Sequence, residues 1–234
     1  MVTFDLINQD FIIITNPKSG VTTTNNLLAN ILHEDFKRYD SLDSGIKTGN
    51  KRAVFVLRDP YERVVSMFFR FNRVLWTDHT GVRGEVSKKI LRKYRKEGGF
   101  NFLDFLTYLK ETPNDNRDIH YRCQDIPEKY DFLVLTHRYF EDILKFFKKI
   151  GNQKGVEILS PKTADEIIAN SVKKSDVKEW ENMVELKTFE FEKFEKTGFP
   201  PYALFLNSET RKLIEDTFKK EIQLYHSVQS ILNY

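Results

Sequence analysis

Two apolar runs, Phe11-Ile12-Ile13-Ile14 and Arg52-Ala53-Val54-Phe55-Val56-Leu57, are too short for helices and β-branched enough to be buried strands. Each is followed by a turn and then by apolar residues at helical spacing. After the first, Pro17 and Gly20 punctuate the turn, Thr22, Thr23 and Thr24 offer capping hydroxyls, and Leu27, Leu28, Ile31 and Leu32 form a helical face. After the second, Pro60 suits the first turn of a helix that carries Val64, Val65, Phe68, Phe69 and Phe71. Strand, helix and strand in this order form a βαβ unit. Its right-handed crossover puts both strand ends on one edge of a parallel sheet, so the two loops can share a ligand. An anionic ligand is the expectation, against an ordinary strand-to-helix turn with an exposed lysine. Lys18 and Arg58 are cations, and a strand, turn and helix aim backbone N–H groups and the helix dipole at one point.

Kinase and GTPase loops read G-x-x-x-x-G-K-[ST], with the lysine after the second glycine. Here Lys18 precedes Gly20, the only glycine of the loop. The order Pro17-Lys18-Ser19-Gly20-Val21-Thr22-Thr23 instead resembles the loop by which sulfotransferases hold the 5'-phosphosulfate end of 3'-phosphoadenosine-5'-phosphosulfate. The resemblance implies that Lys18 meets the bridging oxygen and sulfuryl group, with Ser19, Gly20, Val21, Thr22 and Thr23 around the 5'-phosphate. Val21 departs from the pattern, which more usually has a small or hydroxylated residue there, so only its N–H remains for the donor.

The segment Arg58-Asp59-Pro60-Tyr61-Glu62-Arg63-Val64-Val65-Ser66 matches the same family's 3'-phosphate signature, R-D-P-x-x-R-x-x-S. It implies that Arg58 pairs with the 3'-phosphate as a planar bidentate donor and that Ser66 adds a hydroxyl. Arg63 reads as a salt-bridging scaffold residue rather than a ligand, and Asp59 as a turn or cap residue.

Sulfuryl transfer also needs a base for the acceptor hydroxyl. His120-Tyr121-Arg122-Cys123-Gln124 resembles a short motif, H-[WFY]-x-x-Q, of carbohydrate sulfotransferases, sulfotransferase family 2. Imidazole titrates near neutrality, so His120 reads either as the general base or as a residue that orients the acceptor or packs in the loop. His33, His79, His137 and His226 lack such a context. The family resemblance implies an α/β, P-loop NTPase-like three-layer fold with a central parallel sheet flanked by helices. It implies no metal. A sugar hydroxyl is the expected acceptor, with a lipid, a tyrosyl side chain or a small alcohol as alternatives. Two other classes stay open: a magnesium-dependent nucleotide or small-molecule kinase, and a non-catalytic nucleotide- or glycan-binding relative.

At 234 residues, 40% of them hydrophobic, the chain suits one well-packed domain spanning 1–234. Most of its 20 phenylalanines read as core. A net charge of +3 argues for neither nucleic acid nor a membrane as partner. The single cysteine, Cys123, excludes an internal disulfide and reads as a small core residue. The first residues show no basic stretch followed by a long apolar run, so a cytoplasmic chain without signal peptide or membrane span is expected.

Farther along, Lys88 to Lys96 is a basic helix-like stretch, Phe102 to Leu109 an apolar helical face, Tyr130 to Thr136 a third strand and Tyr139 to Ile150 its helix. Ser208 to Leu232 show helical periodicity with Asn207 or Ser208 as cap. Gly45 to Asn50 and Thr112 to Arg117 read as exposed loops, and Lys196 to Tyr202 as a turn. Residues 151–200 are the least legible stretch.

Overall fold

The computed structural model describes residues 1–40, 51–77, 82–94, 99–124, 126–127, 129–160, 183–184 and 200–232. The chain divides into two compact units, 1–59 with 124–171 and 60–123 with 172–234.

The first unit holds a five-stranded sheet in the order β3-β1-β2-β4-β5. Its strands are β1 (Val2–Leu6), β2 (Phe11–Thr15), β3 (Phe36–Tyr39), β4 (Arg52–Leu57) and β5 (Phe132–Leu135). β2 pairs parallel with β4, Ile14 opposite Phe55, and β4 pairs parallel with β5, Leu57 opposite Leu135. These strands read as continuous apolar runs because β2 is buried throughout and β4 everywhere but Arg52.

The sheet is mixed rather than wholly parallel. β1 runs antiparallel to both β2 and β3. The turn Ile7-Asn8-Gln9-Asp10 is long enough only for a hairpin, whereas a parallel neighbour needs a crossover of a dozen or more residues. Between β2 and β4 the chain forms α1 (Val21–Asn26), widens into a π-helical turn at Leu27–Ile31, and visits the far edge of the sheet as β3. α1 is capped by Gly20 in the left-handed conformation, and none of the three threonines serves as the cap. Thr24 instead shares a 2.8 Å hydrogen bond with the Tyr139 hydroxyl, both residues being buried.

α5 (Tyr139–Ile150) packs on β5, and α6 (Gln153–Leu159) packs on α5. α5 keeps the bounds read from its periodicity, and its Phe146 and Phe147 meet Phe11 of β2. The carboxylate of Asp142 accepts from the N–H of Leu135 at 3.0 Å, tying α5 to the end of β5. Asp131 extends the β4 pairing: its side chain accepts from Ala53 N at 2.7 Å while its own N–H donates to Ala53 O at 2.8 Å.

The second unit is helical among its described residues: α2 (Pro60–Thr77), α3 (Val82–Tyr94), α4 (Phe102–Glu111), α7 (Ser208–Thr217) and α8 (Lys219–Leu232). Pro60 opens α2 as expected. Asn207 caps α7, accepting from Thr210 N. The C-terminal periodicity is interrupted at Phe218, which separates α7 from α8. The core is aromatic. Phe68 of α2 lies 5.2 Å from Phe102, 5.5 Å from Phe105 and 6.1 Å from Phe205, ring centre to ring centre. Within Thr112 to Arg117, Asn114–Asn116 form a 3₁₀ turn, and Arg117 beyond it is buried, donating to the carbonyls of Thr112 and Leu109. No described helix is long and apolar enough to cross a membrane. Gly45 to Asn50, and Lys196 to Phe199 of the later turn, lie outside the described residues.

Arg63 is a scaffold residue. With 1% of its side chain exposed it pairs with Glu221 of α8, also 1% exposed, at 3.3 Å, and donates to the carbonyl of Arg122. Deleting one partner of a buried pair strands the other charge, so Glu221→Ala is expected to lower unfolding stability by about 3–5 kcal/mol. Urea denaturation measures this, and a loss within experimental error would contradict the assignment.

Candidate functional site

Because β2 and β4 are parallel neighbours, the turn after β2 and the residue after β4 leave the same edge of the sheet. The turn is built on two left-handed residues, Lys18 at φ 67° and Gly20 at φ 89°, either side of fully buried Ser19. Glycine adopts this conformation readily, and a Cβ at Gly20 would lie 3.4 Å from the Val56 side chain. Lysine does not; its left-handed backbone costs on the order of 1–3 kcal/mol and persists only where neighbours enforce it. They are identifiable. Ser19 N donates to Asn16 O at 2.9 Å, closing the turn, and Arg58 Nη1 donates to Lys18 O at 2.9 Å.

The following positions divide by chemistry. The Val21 side chain packs against the apolar core of this unit, which accounts for a hydrophobic residue where a hydroxyl is more usual. Thr22 is exposed and Thr23 half-buried. The first helical bond is Thr24 N to Gly20 O at 2.8 Å, so the N–H groups of Val21, Thr22 and Thr23 precede it. Ser19 directs its hydroxyl inward, donating to Gln124 Oε1 at 2.6 Å. Lys18, Ser19, Gly20, Val21, Thr22, Thr23 and Arg58 thus share the first unit with Gln124.

Ser66 and His120 belong to the second unit. Ser66 lies on α2, 9% exposed. His120 is half-buried, and Asp118 Oδ1 accepts twice from it, from the backbone N–H at 2.9 Å and from ring Nδ1 at 2.7 Å. An ionised carboxylate on Nδ1 fixes the tautomer with the proton there, leaving Nε2 as the nitrogen able to accept one. Asp118 also lines a cleft with Arg70, Ser87 and Tyr121. Sequence reasoning assigns Asp118 no role, although its signal is present: an aspartate two residues before a histidine closes on the backbone in an Asx-type turn. His33, His137 and His226 are exposed, and His79 lies outside the described residues. Cys123 is a half-buried free thiol that burial pushes up in pKa.

Burial raises the Asp118 carboxyl, but hydrogen bonds from the His120 ring and N–H, with the charges of His120 and Arg70, outweigh it and hold the group below its usual value. Such a carboxyl contributes stability above the unfolded carboxylate range and loses it as pH falls through its own native value. His120→Ala is therefore expected to move the Asp118 titration upward, measured by carbon NMR of the carboxyl. An unchanged titration would show that the ring does not hold it.

The family model described as a sulfotransferase family, family 2, matches residues 8–226. No curated protein and no solved structure matches the chain.

Proposed function

The chain belongs to sulfotransferase family 2, and on that premise we propose that it moves a sulfuryl group from 3'-phosphoadenosine-5'-phosphosulfate to an acceptor hydroxyl. The observation that carries this reading is the contact of Arg58 with the Lys18 carbonyl at the shared edge of β2 and β4. A donor with phosphates at both the 5' and 3' positions of its ribose needs two anion-binding groups at fixed separation. The chain supplies a lysine on a hydrogen-bonded turn and an arginine that donates to that turn, with the N–H groups of Val21, Thr22 and Thr23 following it.

When bound, the donor supplies an activated sulfuryl group with a phosphate as its leaving group. Lys18 offsets negative charge gathering on the bridging oxygen. Arg58 holds the 3'-phosphate through a charge-assisted pair, to which Ser66 adds a hydroxyl. Gly20 lets the backbone approach, and Thr22 and Thr23 serve the 5'-phosphate. His120, held by Asp118 at Nδ1, takes the acceptor proton at Nε2. No residue of this scheme calls for a metal.

The acceptor we propose is a carbohydrate hydroxyl. The His120-Tyr121-x-x-Gln124 motif supports it. The family match runs through both compact units, which supports one functional domain on a P-loop NTPase-like plan.

Calorimetric titration with the product nucleotide, adenosine-3',5'-bisphosphate, tests the reading. Binding is expected without metal and in preference to ATP with magnesium. Arg58→Ala should weaken it about 10- to 100-fold, while Lys18→Ala should reduce transfer far more than binding. Preference for ATP with magnesium would replace the reading with a kinase, and binding of neither nucleotide would leave a non-catalytic module.

A further inference from the structure

We propose that Gln124 is the positioning residue that holds the 5'-loop and the 3'-phosphate arm at one fixed separation, an inference that rests on the donor reading above. Gln124 is 4% exposed, and its amide reaches both elements. Oε1 accepts from the Ser19 hydroxyl at 2.6 Å and from Arg58 N at 3.5 Å, while Nε2 donates to Arg58 O at 3.4 Å. The contacts to Arg58 are long, so they orient the amide while the short bond to Ser19 provides the grip. Only this orientation serves all three partners. Reversing the amide would set Nε2 against the Arg58 N–H, donor to donor, and Oε1 against its carbonyl.

Consecutive loop residues are thereby tied to the end of β4 by different means. Lys18 is tied through its carbonyl to the Arg58 side chain, and Ser19 through its hydroxyl to Gln124, which straddles the Arg58 backbone. The turn, left-handed at both Lys18 and Gly20, is closed by Ser19 N on Asn16 O and leads into α1 through Gly20 O, and these two ties join it to the end of β4. The Ser19 hydroxyl hydrogen is spent on Gln124, and its remaining lone pairs would repel a phosphate. Ser19 therefore serves the donor by placing the loop, not by donating to it.

A nucleotide with one phosphate needs only the loop. One with two needs the loop and Arg58 in register. Loss of the tie should therefore penalise the bisphosphate more than the monophosphate, whereas general destabilisation would scale both affinities alike. The experiment titrates adenosine-3',5'-bisphosphate and adenosine-5'-phosphate into wild type, Gln124→Ala, Ser19→Ala and the double variant.

Wild type should prefer the bisphosphate, and Gln124→Ala should cut that preference about tenfold, the scale of one buried hydrogen bond. Ser19→Ala should reproduce much of the cut, and the double variant should lose less than the two single losses combined, because both break one bond. Ser19→Ala carries the test should Gln124→Ala not fold. Wild type without a preference would overturn the donor reading itself. A wild-type preference retained in the variants, or fully additive losses, would overturn the role of Gln124 alone.

Discussion

Parallel pairing of β2 with β4 is the constraint on which the rest of the first unit depends. Ile14 opposite Phe55 sets the register, and the register puts the turn at 16–20 and Arg58 at one sheet edge. The bonds that tie the loop to the end of β4 follow from that adjacency. Arg58 can reach the Lys18 carbonyl, and Gln124 can reach both Ser19 and the Arg58 backbone. A slip of one residue would turn every side chain of the strand to the other face and dismantle the two contacts that reach the loop, Arg58 to Lys18 O and Gln124 to Ser19.

Buried polar groups recur where the chain must hold an unusual shape. Ser19 and Gln124 hold a turn with a left-handed lysine, Thr24 and Tyr139 anchor the first helical turn to α5, and Arg63 and Glu221 join α2 to α8. Each uses a hydrogen bond or ion pair in place of apolar contact, and a polar group buried without its partner would be costly. Specificity of geometry is what these pairs add to the aromatic core. The Asp118–His120 pair follows the same logic on a single turn, where the carboxylate decides which ring nitrogen is left to accept a proton.

Much of this was legible in local sequence. Phe11 to Ile14 and Arg52 to Leu57 are apolar at every strand position but Arg52 because both faces are covered, and α5 follows its periodicity from Tyr139 to Ile150. The rest depends on distance or on weak local signals. β3 leaves Lys37, Arg38 and Tyr39 exposed on the sheet edge, so its residues read as loop. The break at Phe218 carries no glycine or proline to announce it. The threonine run suggested a side-chain cap, whereas the left-handed freedom of Gly20 supplies the start of α1. Gln124 and Ser19 stand 105 positions apart, beyond any periodicity, although both lie in motifs that the sequence displays.

On the proposed reading, one nucleotide is held between the loop after β2 and the end of β4. A crystal structure of the complex with adenosine-3',5'-bisphosphate tests it most directly. The 5'-phosphate is expected against residues 17–23 and the 3'-phosphate against the Arg58 guanidinium. Density for the nucleotide away from this sheet edge, or with its two phosphates exchanged, would contradict it.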